Sequence, residues 1–159
     1  MDGWSEFAVA AAGATAALAG LVIVGISVNI KEILASPALV VRGAVTIAGL
    51  VVSLIATLAL LVPQSATAAG VELLVVTAFA LLIESRALLA ELRQRPRRSR
   101  WEMVSHVALA ALWIVPFLLA GILLCVQQPG GVYALALGVA TAIVAAIINT
   151  WVLLIEVLR

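Results

Sequence analysis

Five long apolar runs dominate this chain and leave it one physical option. A bilayer core about 30 Å thick requires about 20 apolar residues at about 1.5 Å of helical rise each. Runs of that length occupy residues 7–30, 39–62, 69–90, 103–126 and 132–158. Between them lie KEILASPA, PQSATAA, ELRQRPRRSR and QQPGG, connectors short enough for helix hairpins and too short for a soluble unit. The expectation is an all-α integral membrane protein, one transmembrane domain over residues 1–159, built as a bundle of five transmembrane helices.

Composition closes the other routes. Of the 159 residues 65% are hydrophobic and 11% charged, where a soluble domain carries about 25% charged residues. The mean hydropathy is +1.28, so lipid has to serve as the main solvent. Apolar stretches such as LVIVGISV lack the alternation of a membrane barrel strand. The start, MDGWSEFAVAAAG, places Asp2 and Glu6 ahead of its apolar run, without the positive n-region of a secretory signal. It is expected to be retained as the first span.

Orientation follows from Lys and Arg, which accumulate on the cytoplasmic side of membrane proteins. Five spans put the termini on opposite sides. Lys31, Arg42, Arg86, the five arginines Arg93, Arg95, Arg97, Arg98 and Arg100, and Arg159 then all fall on one side. The other side carries Asp2 and Glu6 and no base. An N-outside, C-inside, multi-pass protein of the plasma membrane is expected, with the basic loop cytoplasmic. The arginine segment reads as a topology anchor, with anionic lipid headgroups as a compatible partner. It lacks interleaved aromatics and any DNA-binding fold, so nucleic acid is not an expected partner. Trp4, Trp101 and Tyr133 stand at span ends, where amphipathic rings settle.

Helices in lipid associate through small residues and hydrogen bonds. Gly13, Gly20 and Ser27, with Ala16 and Ala17, mark the first span; Ala134, Gly138, Ala142 and Ala146 mark the fifth. Both stripes are expected to approach neighbouring helices. In the second span Arg42, Thr46, Gly49, Ser53 and Thr57 share one helical face. Two readings stand: packing glue, in which hydroxyls bond their own i−4 carbonyls, or a neutral water-lined path along an oligomer axis. Pro116 predicts a kink in the fourth span, and His106 reads as an interfacial residue.

Ionisable groups at membrane depth cost roughly 2.5–3.5 kcal/mol each and need a partner or a purpose. Glu84 lies about two turns inside the third span, and Arg42 lies at matching depth in the second. Asn29, Asn149 and Glu156 belong to the same half of the bundle. A structural network and an inner vestibule or ion site both fit this set; Glu72, at the outer end, could mark an outer mouth. The residues carrying a pore or polar network are therefore expected to be Ser27, Asn29, Arg42, Thr46, Ser53, Glu84, Asn149 and Glu156.

Catalysis has no foothold. One histidine and one cysteine, His106 and Cys125, stand at opposite membrane faces, and neither a nucleophile elbow nor a Gly-rich phosphate loop occurs. No catalytic residue, cofactor or metal site is expected.

Two segments, GLVIVGISVNIKEILASPALVVRGA and GGVYALALGVATAIVAAIINTWVLLIEVLR, together resemble a bacterial family of small polytopic membrane proteins, common in actinobacteria and often labelled "modulator of FtsH protease". The likeness rests on Ser27, Asn29, Pro37 and Arg42 around the first connector, and on Tyr133, Asn149, Trp151, Glu156 and Arg159 in the last span. It implies a polytopic bundle and carries no catalytic set. The residues favour a homo-oligomeric channel or transport protein. The alternative is a non-enzymatic membrane interaction protein that modulates a membrane protease or another membrane complex.

Overall fold

Inside an apolar run a backbone N–H or C=O has no water to bond, so the chain must satisfy each group within its own segment, and a helix does so. The computed structural model describes residues 3–94 and 100–157, and the side chains among these except at 90–94, 100–103, 105, 106, 156 and 157. Its elements are α1 (Ser5–Val28), α2 (Ile30–Ala35), α3 (Pro37–Leu61), α4 (Ala66–Gln94), α5 (Arg100–Cys125) and α6 (Gly130–Val157), with no strand among the described residues. All but α2 are long and apolar enough to cross a bilayer. The molecule is an all-α, five-span membrane bundle.

Helix ends fall where local chemistry stops them. Pro37 opens α3 at its first turn, where its missing N–H costs nothing. The Ser65 hydroxyl accepts the Ala68 N–H at 3.1 Å and caps α4. Beyond α5, Gln127 adopts φ 56°, while the N–H groups of Gln127 and Gln128 bond the carbonyls of Leu124 and Leu123 at 3.0 and 2.8 Å. This is a Schellman cap, and it reverses the chain into α6. The first connector, KEILASPA, is short as expected but not unstructured. It coils into α2, whose Ile33 is buried against Leu39 and Leu153. Pro116 lies inside α5, which runs through it as one helix.

The last three helices pack on one another at glycines. A Cβ on Gly70 would stand 2.8 Å from the Cys125 nitrogen and the Gly121 oxygen; one on Gly121 would stand 2.7 Å from Leu74. Gly131 and Gly138 bring α6 against Leu124 and Phe117 of α5 in the same way. Ala134, Ala142 and Ala146 are buried beside them, so the stripe in the last span packs inside the molecule as expected. The central element is α3, which lies against α1, α4 and α6.

The stripe in the first span has the opposite fate. The buried residues of α1 are Ala8, Ala11, Thr15 and Val22, whereas Gly13, Ala16, Ala17, Gly20 and Ser27 are exposed. A Cβ on Gly13 or Gly20 would meet nothing within 4 Å. The expectation that this stripe approaches a neighbour in the bundle is corrected: α1 turns its other face, with Ala8, Ala11, Thr15 and Val22, to the bundle. At the outer end the Trp4 ring meets Tyr133 edge-on, at a centroid distance of 4.9 Å, which ties the start of α1 to that of α6.

This packing predicts opposite outcomes for two glycine substitutions. Gly70→Ala forces α4 from the α5 backbone and should destabilise the protein by about 1–3 kcal/mol, the usual cost of overpacking. Gly20→Ala should be neutral or slightly stabilising, since alanine is the better helix former. Thermal unfolding in a mild detergent checks both.

Candidate functional site

The polar face of α3 is the feature most able to carry function, and its surroundings decide between glue and passage. Thr46 is 4% exposed, and Ser53 and Thr57 are 0% exposed. Each hydroxyl turns back on its own helix: Thr46 donates to the Arg42 carbonyl at 2.8 Å, Ser53 to Gly49 at 3.0 Å and Thr57 to Ser53 at 2.9 Å. Such bonds satisfy the hydroxyl without a neighbour or water. A Cβ on Gly49 would lie 3.6 Å from the indole of Trp113, so a large ring from α5 covers the middle of the stripe. Trp113 and Phe117 stack edge to face at 6.5 Å, and both are buried. The face is thus packed within one subunit. A path along an oligomer axis bordered by these hydroxyls does not agree with that burial.

A second polar line runs along α4. Thr77 is 0% exposed and donates to the Leu73 carbonyl at 2.7 Å. Glu84, two turns farther along the same face, is 7% exposed. Both Glu84 and the half-buried Arg42 are engaged by other groups.

The remaining residues of the expected set disperse. Asn29 ends α1 and donates from Nδ2 to the Gly25 carbonyl at 2.9 Å, completing the last turn. Ser27 is exposed and donates to the Ile23 carbonyl at 2.8 Å. Asn149 is half-buried on α6. The side chains of Glu156, His106, Trp101, Arg93 and Arg100, and residues Arg95, Arg97 and Arg98 altogether, lie outside what the structure describes. At the outer end Glu72 is exposed and accepts a bond from Gln64 Nε2 at 3.1 Å. Beside it Gln127 Nε2 reaches the Thr67 hydroxyl at 3.4 Å, and that hydroxyl lies 3.5 Å from the Cys125 carbonyl. These contacts fasten the ends of α4 and α5.

Sequence reasoning passed over two buried hydroxyls, Thr15 and Thr150, whose oxygens find no hydrogen-bond partner. Nothing in residue type separates them from Thr46 or Thr57; only the rotamer and the neighbours do. Among the described residues no group of three or more His, Cys, Asp or Glu side chains could hold a metal ion. No family model, curated protein or solved structure matches the chain.

Water access discriminates a packed stripe from a wet one. On a Cys125→Ser background, Ser53→Cys and Thr57→Cys should resist a charged thiol reagent, and Ser27→Cys should react at least about tenfold faster, since modification requires exposure of the thiolate. Mass spectrometry of the labelled protein reads the difference.

Proposed function

We propose that this chain is a non-enzymatic membrane interaction protein, a packed helical scaffold of the plasma membrane that associates with another membrane complex through its embedded faces. The supporting observation is the closed polar face of α3: its hydroxyls are consumed by their own helix, and Trp113 seats against Gly49. A polar conduit needs hydroxyls that face water. The basic side is assigned to the cytoplasm on the strength of the Lys and Arg distribution. Modulators of a membrane protease, the label that the family resemblance carries, are one instance of this class. Self-association is compatible with it.

Transport is the second reading, and Glu84 is the observation that favours it. A carboxylate buried within a membrane span is costly and commonly marks an ion or proton path. In that reading Arg42, Glu84 and Asn149 form an inner vestibule, with Thr46 and Ser53 above it.

Two measurements separate the readings. Purification in mild detergent at native expression should yield a stoichiometric complex with another membrane protein, and liposomes holding the purified chain should show no ion flux above protein-free liposomes. Flux lowered at least about tenfold by Glu84→Gln, the scale on which loss of a selectivity group acts, would reverse the assignment. So would recovery of a lone homomer together with such flux.

A further inference from the structure

The outward face of α6 is built differently from that of α1. Tyr133 and Trp151 lie eighteen residues apart, five turns at about 3.6 residues each, so the two rings stand at one azimuth of the helix. Both are exposed, Tyr133 at 67% and Trp151 at 66%. On the same face Leu137, Val144, Ile147 and Ile155 are exposed as well, whereas Leu135, Ala142, Ala146 and Leu153 are buried on the other. A rise of about 1.5 Å per residue separates the rings by about 27 Å, close to the roughly 30 Å of a hydrocarbon core.

The residue types between the rings say what this face meets. A face that receives another membrane helix is made of small residues that let backbones approach; here Ala140 is the one small residue exposed between Tyr133 and Trp151. Amphipathic rings bracketing an aliphatic stretch suit the two polar boundaries of lipid. Contacts from other elements agree with both levels. At one end the Trp4 ring, just ahead of α1, packs on Tyr133 at 4.9 Å, so two aromatic rings share that level. At the basic end a Cβ on Gly43 would lie 3.9 Å from Leu153, two residues past Trp151, and Arg42 is one residue farther toward that end of α3. Ile33 of α2 packs on the same Leu153.

We infer that the stripe from Tyr133 to Trp151 is a lipid-contacting face of the bundle and that its two rings mark the two boundaries of the hydrocarbon. The hydrocarbon centre then falls near Ala142. Ile155 stands among headgroups, level with the α2 turn and the start of α3. Asn149 and Thr150, within one turn of Trp151, belong to the boundary layer and not to the membrane centre. The inference holds for scaffold and transporter alike, and it leaves a protein partner to the other faces.

Spin labels on Leu137→Cys, Val144→Cys, Ile147→Cys and Ile155→Cys, each on a Cys125→Ser background, test it with both rings in place. In liposomes of phosphatidylethanolamine and phosphatidylglycerol, collisions with oxygen, which concentrates in hydrocarbon, and with a nickel chelate, which is excluded from it, report depth. All four labels should be mobile. The oxygen-to-nickel ratio should be highest at Val144→Cys, equal at Leu137→Cys and Ile147→Cys, and reversed at Ile155→Cys, where nickel gains access. A maximum at Ile147→Cys with Ile155→Cys still closed to nickel would set the boundary past Trp151 and overturn the proposal. Immobile labels closed to both reagents at Leu137→Cys, Val144→Cys and Ile147→Cys would show the stripe covered by protein and overturn it too.

Discussion

Lipid tails are as apolar as leucine, so no water-driven force presses one membrane helix against the next, and everything in this bundle depends on how closely backbones can approach. The approach is closest along α4, α5 and α6. Gly70, Gly121, Gly131 and Gly138 each stand where a Cβ would come within 3.0 Å of a neighbouring atom. There dispersion contacts, individually worth about 0.1–0.2 kcal/mol, accumulate in number. By contrast α1 rests mainly on α3 and meets α6 chiefly through Trp4 and Tyr133 at one end and around Val22 and Ala146. The space beside Gly25, lined by α1, α3 and α6, lies where α1 and α6 touch least.

The same dry medium governs the polar groups. A hydroxyl buried in hydrocarbon must find an acceptor, and the i−4 carbonyl of its own helix is always within reach. Because Thr46, Ser53 and Thr57 use it, the polar face of α3 behaves toward its neighbours as a face of small residues. It therefore tolerates an indole ring where a pore would need water. Carboxylates have no such private solution. Glu84 is buried and is engaged by another group.

Span number, length and approximate ends were legible in the sequence because insertion into a bilayer is a local property, summed residue by residue. Partner choice was not, because it is a property of pairs. The two small-residue stripes show the difference. Gly138 and its alanines meet Phe117, while Gly13 and Gly20, as permissive on paper, face outward; spacing says that a helix can be approached and is silent on what approaches it. The α3 stripe carried the same ambiguity until Trp113 was found against Gly49. The α2 turn was hidden, since a single buried residue, Ile33, holds it.

Charge distribution and packing converge on one end of the molecule. The half of the bundle that carries Lys31, Arg42 and Arg86 is also where α2 packs Ile33 against Ile26 and Leu153, and where Glu84 is buried. At the other end the contacts are dense and mostly neutral: Trp4 on Tyr133, and Gln127 on Thr67 on Cys125. A tightly joined end resists relative helix movement, because packed contacts do not deform continuously.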